Sequence, residues 1–347
     1  MWGKTDLTLI DDFLRHKIDL MRFTAKERTR VLKLLQQAQA ALRAKLLTDL
    51  TDFGKARVNK LLKEATEIIN SSYAGIQQSF NFPDLAQAEA GATAKILTSI
   101  GLEAALPTAT ALKSVVSNLL IEGAPSSAWW EKQAESTAFN FAAQVRQGVA
   151  QGETLQQIII RVAGSKRLGI PGIMETSRRG ASALVHTSIS TIANDAAMAT
   201  FKANNDVIKG VQQLSTLDGH TSKVCIAYSG ASWDLSGRPI NGTTLPFNGG
   251  PPRHWGCRSV LRPITKTYRE LGLDIDEAPT STRASDLGQI KADTTFDEFL
   301  KRHDKNYADD LLGPGRAEMW RKGKITLQDL VSGNGRELTL KQLKELH

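Results

Sequence analysis

The chain reads as mainly α with a small α+β unit, a long N-terminal helical region followed by a compact, loop-rich C-terminal domain. Three observations carry this reading. Apolar residues recur at helical spacing from Leu7 to about Asn204, with few turn residues between them. From Asp206 the pattern changes to two short β-branched runs, one at 207–214 and one at 260–264. Between these runs, the stretch from Leu217 to Pro263 gathers both cysteines and two of the six histidines among glycine- and proline-bearing turns. We assign 1–145 to the helical region and 146–347 to the second domain, whose centre is a Cys/His loop unit at 207–265.

Taken in order, Leu7, Ile10, Leu14, Ile18 and Met21 lie three or four apart and predict an opening amphipathic helix. Thr24 and Glu27 have the spacing of a capping box, which predicts a new helix start before the stripe Val31, Leu34, Leu35, Ala38 and Leu42. Gly54 predicts a break before Val58, Leu61, Leu62, Ala65 and Ile69. Pro83 ends that block and sits where a helix can begin, because the first turn does not need its N–H. Leu85, Ala88, Ala92 and Ile96 share one face of an alanine-rich segment over 84–105. Pro107 and Gly123-Ala124-Pro125 interrupt the pattern. Trp129 and Trp130 then open a helix continued by Phe139, Ala142, Val145 and Val149. The tryptophan pair suits half-buried core or an interface anchor. A loop at Gln151-Gly152 leads to an N-cap at Thr154, and 165–172 reads as a loop. The long helix over 174–204 takes His186 as a core residue beside Leu184, Ile189 and Ile192. Pro263 marks the end or edge of the second strand. A loop is expected at 278–288, then short helices at 296–300, 307–312, 317–321, 327–331 and 338–346, parted by Gly313-Pro314-Gly315 and Gly333-Asn334-Gly335.

With 347 residues, 41% hydrophobic and 23% charged, the composition is ordinary for a globular chain. Ile158, Ile159 and Ile160 form only a short patch, so no membrane span is expected. The opening MWGKTDLTLI lacks a basic region before an apolar core, and no secretory signal is expected. Two cysteines argue against a disulfide-built scaffold and for a reducing cytosol.

The charge is concentrated. Between Arg22 and Lys63, eleven bases face only Glu27, Asp49 and Asp52, an excess equal to the whole chain's +8. Arg22, Lys26, Arg30, Lys33, Arg43, Lys45, Lys55, Arg57, Lys60 and Lys63 are candidate contacts to nucleic acid or an acidic protein surface. A solvated helix face accounts equally for such a cluster.

Chemistry-bearing residues converge on Asp218, Cys225, His254 and Cys257. His254 and Cys257 are three apart across a tight turn, so both can face one ion. Thiolate and imidazole suit zinc, with Asp218 or His220 as a fourth donor. Three readings stay open: one structural zinc, a Cys225–Cys257 disulfide, and buried small apolar cysteines beside a backbone-bonded histidine. Asp234 is the sole carboxylate between the two cysteines. The zinc-deaminase pattern, the G-x-S-x-G elbow and the Walker loop are all absent. A metal-dependent enzyme on Cys225, His254 and Cys257, a nuclease or toxin-like effector, is the alternative function.

Asp218-x-x-Thr221, Cys225 and Gly230, then Pro251-Pro252-Arg253-His254-Trp255-Gly256-Cys257-Arg258 ahead of a strand, resemble the phage Mu F-like head morphogenesis family. The helix from Ala181 to Asn194 fits the same resemblance. So do Phe296-x-x-Phe299-Leu300, Leu312-Gly313-Pro314-Gly315-Arg316, Trp320 with Gly323, and Leu338 with Leu340. The likeness covers about 145–345. Many members carry arginine at the position of His220 and a further cysteine at Ser222 or Ser259. The resemblance implies a non-catalytic minor head protein of a tailed bacteriophage, made in the host bacterial cytoplasm and placed in the virion head near the portal vertex. It implies a role in head assembly, genome packaging or ejection. Its implied partners are the portal protein, major capsid or scaffold proteins and double-stranded DNA, with no membrane.

Overall fold

Helix α1 (Asp6–Asp49) runs through Thr24 without a break. The structure, a computed structural model, describes residues 6–50, 53–267, 270–271, 282–291 and 293–347. Residues 1–5 of the opening stretch, Asp52 and 278–281 of the expected loop lie outside these. The predicted capping box at Thr24 does not form. Thr24 is buried at 3% exposure within the helix, and the Glu27 carboxylate accepts instead from Arg30 Nε and Nη2 at 3.0 and 2.5 Å. Packing of a continuous stripe outweighs a local cap signal worth about 1 kcal/mol.

Helix α2 (Lys55–Gln78) follows Gly54 as its N-cap. Next come α3 (Phe82–Ser99) and α4 (Ala109–Ser117). A two-residue hairpin, β1 (Leu120–Ile121) and β2 (Ala124–Pro125), turns at Gly123, whose φ is 80°. Helix α5 (Ser126–Ala150) starts where the tryptophan pair suggested. Helix α6 (Leu155–Ala163) carries the predicted Thr154 cap, completed by Gln157 as a capping box. The segment expected as a loop at 165–172 contains a second hairpin, β3 (Gly164–Ser165) and β4 (Ile170–Pro171). Helix α7 (Ile173–Ala203) closes the helical part.

Beyond it lie β5 (Ile208–Leu214), α8 (Lys223–Ala227), β6 (Ser232–Asp234), β7 (Pro239–Ile240) and β8 (Val260–Thr265). A third hairpin, β9 (Thr282–Ser285) and β10 (Gly288–Lys291), replaces most of the predicted 278–288 loop. The tail holds α9 (Phe296–Lys301), α10 (Lys305–Leu312), α11 (Pro314–Arg321), a 3-10 turn at Gln328–Leu330, and α12 (Leu340–Leu346). The chain is therefore mainly helical to about residue 203 and then forms a small four-stranded antiparallel sheet with loops. No helix among the described residues is long and apolar enough to cross a membrane.

The chain divides into two compact units, one of residues 21–82 and 118–189, the other of 1–20, 83–117 and 190–347. In the first, α2 buries Val58, Leu61, Leu62, Ala65 and Ile69, as its apolar spacing predicted, and Tyr73 as well. Helix α5 buries Trp130, Ala134, Phe141 and Val145, whereas Phe139, read as part of its apolar face, is 72% exposed. The Tyr73 hydroxyl meets Thr137 Oγ1 at 3.1 Å, and Thr137 meets Ser177 Oγ at 2.8 Å. These partners satisfy polar groups that would otherwise be costly to bury.

The second unit is built on a sheet of order β7-β6-β5-β8. Strand β5 is central, pairing Val211 with Trp233 on one side and with Pro263 on the other. Gly210 lies at a bulge where a Cβ would come within 2.4 Å of the Trp233 carbonyl oxygen, so only glycine fits. Buried Leu9, Phe13, Phe201, Val211, Tyr228, Trp233 and Phe299 join one core. The α1 stripe here is Leu9, Ile10, Phe13, Lys17 and Leu20, rotated from the predicted one, so that Ile18 and Met21 are exposed. On α3 the buried face is Ala86, Ala90, Thr93 and Leu97 rather than Leu85, Ala88, Ala92 and Ile96. Asn194 Oδ1 accepts from Leu261 N at 3.1 Å, and the Asn204 side chain bonds both backbone groups of Ala105.

Asp195 on α7 gives a pH prediction. Burial pushes its carboxyl up to about 6, against a weaker opposing pull from Lys202. Its folded pKa therefore lies above the unfolded value of 3.8, so the ionised group destabilises the native state above pH 6. Asp195→Asn should stabilise the protein by about 2–3 kcal/mol at pH 7, since each pKa unit corresponds to about 1.4 kcal/mol. The gain should vanish near pH 4, as read by urea melts at the two pH values.

Candidate metal centre

Cys225, His254 and Cys257 are the only group among the described residues whose donor atoms could jointly hold a metal ion, all within 4.8 Å of one another. Cys225 Sγ lies 3.4 Å from Cys257 Sγ and 3.2 Å from His254 Nε2. Two thiolates and an imidazole around tetrahedral zinc stand about 3.5–3.8 Å apart, given bonds of ~2.3 and ~2.0 Å. The donors therefore fit zinc with shifts of a few tenths of an ångström. Both cysteines are free thiols.

Local sequence explains the convergence. Ser222 caps α8 by accepting from Cys225 N, which sets Cys225 on the first turn. On the other side, Cys257 N donates to His254 O at 3.1 Å across a turn whose third residue, Gly256, has φ 73°. That turn brings His254 and Cys257 to one side. His254 Nδ1 donates to the Trp255 carbonyl at 3.0 Å, leaving the Nε2 lone pair for a metal or for the Ser222 hydroxyl at 2.8 Å. Ser215 Oγ donates to Cys225 O at 2.7 Å and meets Ser259 Oγ at 3.1 Å. These contacts tie α8 to β5 and β8.

The two thiols share charge unequally. The Cys225 S–H donates to Cys257, holding Cys257 well below the usual thiol range against the opposing effect of burial. The same bond, with burial, pushes Cys225 well up. Cys225 and Cys257 are 2% and 0% exposed, and His254 is half-buried.

Asp218, considered as a fourth donor, belongs to a different contact. Its two oxygens accept from Arg258 Nη1 and Nη2, both at 2.7 Å, and Oδ1 also accepts from His220 N and Thr221 Oγ1. The guanidinium and burial compete, and the guanidinium and backbone bonds hold the carboxyl below its ordinary value. His220 is exposed and outside the donor group. Asp234, the remaining carboxylate of the stretch, accepts from Ser236 N, Ser236 Oγ, Arg238 N and Arg238 Nε in the β6–β7 turn. Both carboxylates are thereby used to hold loops.

Three contributors went unread in the sequence. The Arg253 guanidinium lies 3.5 Å over the Tyr228 ring, and its Nε donates to Gln213 Oε1 at 2.6 Å. Burial brings its pKa down to about 10. Ser222 was legible from its position three residues before Cys225, the N-cap spacing. Lys17 reaches Ser190 Oγ at 3.4 Å from the buried face of α1. Burial lowers it to about 8, opposed by the Cys257 and Glu89 charges. Its place was readable only with the α1 stripe phased on Leu9 and Phe13.

The basic candidates divide. Lys26, Lys33, Arg43, Lys55 and Lys63 are exposed, as are Arg22, Arg57 and Lys60. Arg30 is taken up by Glu27 and by the Phe80 ring, 5.1 Å away. Lys45 is taken up by Asp49 and Glu64 at 2.7 and 2.5 Å. No protein-family model, no curated protein and no solved structure matches the chain.

Proposed function

We propose that the chain is a portal-associated minor head protein of a tailed bacteriophage, acting in head assembly or genome packaging and delivery without catalysis of its own. The observation that supports it is the way the residues of the family resemblance interlock. Asp218 and Thr221 bind Arg258, Cys225 meets His254 and Cys257, and Arg253 stacks on Tyr228. In the tail, Gly313 takes φ 86° as the cap before Pro314, and Arg316 Nη2 donates to Leu338 O at 2.8 Å. These motif residues hold loops together, which suits a rigid assembly module.

One zinc on Cys225, His254 and Cys257 then acts as a staple for this loop-rich unit. The three-donor set leaves one position of a tetrahedral ion open, the feature that a zinc hydrolase would need. Such an enzyme also needs a general base, and Asp218 and Asp234 are both engaged elsewhere. Absence of metal-dependent nuclease activity in zinc-loaded protein would support the structural role.

The partner test is direct. Co-expressed with the portal protein of its own phage, the tagged chain should retain the portal through size exclusion. If duplex DNA is also a partner, retention on DNA should fall steeply between about 50 and 200 mM salt. Exchange of Lys26, Lys33, Arg43, Lys55 and Lys63 for Glu should abolish it, whereas Arg30→Gln with Lys45→Gln should change it little. DNA retention that ignores salt leaves the portal as the partner. Failure with both portal and DNA overturns the proposal.

A further inference from the structure

In the unit containing the sheet, α1, α3, α7 and β8 border a small cavity of about 20 Å³, room for about one water molecule. Lys17 of α1, Glu89 of α3 and Asn194 of α7 all line it. The three are buried, at 5%, 8% and 4% exposure. A space of that size leaves no layer of bulk water between them.

Each group is prepared for chemistry by its neighbours. Lys17 Nζ makes one hydrogen bond among the described residues, a long one of 3.4 Å to Ser190 Oγ, and no ion pair there. Burial lowers its pKa to about 8, with Cys257 and Glu89 pulling it back up and Arg258 adding to the fall. About one amine in ten is then neutral at pH 7, a far larger share than for an exposed lysine. Asn194 is held at both ends of its amide. Its Oδ1 accepts from Leu261 N at 3.1 Å, and its Nδ2 donates to Ser190 O at 2.9 Å. The bond from Leu261 draws electrons from the carbonyl carbon, as an oxyanion donor does. Amine and amide therefore converge on one residue, Ser190. Glu89 Oε2 and His16 Nε2 lie 2.7 Å apart, which holds the carboxylate at the cavity wall by one oxygen.

A buried amine, an amide with a polarised carbonyl and a carboxylate in a dry site are the parts that amine-for-amide exchange needs. We propose that Lys17 and Asn194 join in an isopeptide bond, with Glu89 as the proton carrier. Rotation of the lysine side chain carries Nζ from Ser190 Oγ to Asn194 Cγ. The neutral amine attacks Cγ, and one Nζ proton passes through the Glu89 carboxylate to Nδ2. The Cγ–Nδ2 bond breaks, ammonia leaves, and Nζ–Cγ remains as a neutral amide whose Oδ1 keeps its bond to Leu261 N. No oxidant, metal or co-substrate enters the balance. The product replaces a buried charge by a neutral group, and loss of ammonia to solvent draws the exchange forward. The inference depends on neither the zinc nor the portal reading.

Mass spectrometry of the full chain, held for several days near pH 8, tests it. The intact mass should fall by about 17 Da, the ammonia lost when the lysine nucleophile displaces the amide nitrogen. A tryptic digest should show the peptide holding Lys17 joined to the one holding Asn194 as a single branched species. Cyclisation at the Asn-Gly steps 241–242, 248–249 and 334–335 also loses ammonia, so the branched peptide is the readout that counts. Lys17→Met should abolish it and stay folded, because the change removes a buried charge and one long hydrogen bond. Glu89→Gln keeps the contact to His16 without the proton carrier, and should slow the linkage at least ~100-fold. A parent chain without the branched peptide overturns the proposal. So does a branch from Lys17 to any other residue, or an undiminished rate in Glu89→Gln.

Discussion

Replacing Cys257 by serine should remove one equivalent of zinc and cost at least ~4 kcal/mol, the range that loss of a structural metal reaches. The reason lies in what the site joins. Cys225 comes from α8, and His254 and Cys257 from the turn ahead of β8, so an ion held there would close a loop of more than 30 residues with little regular structure. Removing one thiolate leaves two donors, too few to hold zinc against water, and frees the turn from the helix. Without a metal the same substitution trades one buried hydrogen-bonding atom for another and should cost about 1–3 kcal/mol. Metal analysis by mass spectrometry, with urea melts before and after chelation, separates the two. A parent protein without zinc, whose melt a chelator leaves unchanged, would reject the staple and leave the cysteines as core residues.

Trp233→Ala should destabilise the sheet unit by about 3–5 kcal/mol, the usual cost of emptying a large aromatic site. Trp233 has no exposed surface, and its Nε1 donates to Leu245 O at 2.8 Å. Its ring lies 6.0 Å from Tyr228 and 5.4 Å from Phe247, centroid to centroid, and Arg253 stacks against the same group. The truncation opens a cavity and strands the Leu245 carbonyl. Trp233→Phe keeps most of the ring and should cost about 1–2 kcal/mol, chiefly the lost hydrogen bond. Urea unfolding followed by circular dichroism reads both. Equal losses for the two variants would mean that the hydrogen bond, not the packing, sets the cost.

The long helices were legible because their cues are local. Gly54 as a break, Thr154 as a cap and the β-branched run of β5 depend on residues within a turn or two of one another. The misses share one cause. Thr24 and Glu27 carry a valid start signal, yet Glu27 finds Arg30, and the stripe on either side is buried without a break. The α1 and α3 stripes each admitted two phasings at helical spacing, and partners distant in sequence chose between them. The short strands β6, β7, β9 and β10 were unreadable, because two to four residues carry no period and pairing alone defines them.

Local patterns alone set out the order of the parts: a helical first two hundred residues containing a basic stretch, then a Cys/His loop unit between two strands. They also named Cys225, His254 and Cys257, because few side chains suit a soft ion and the His-x-x-Cys spacing is confined to one turn. Tertiary structure alone decided which polar groups remain available. It assigned Asp218 to Arg258 and Asp234 to its own turn, removed Arg30 and Lys45 from the basic surface, and buried Lys17 beside Ser190. Whether a charge is engaged depends on distances between residues far apart in the chain, and no local pattern encodes those.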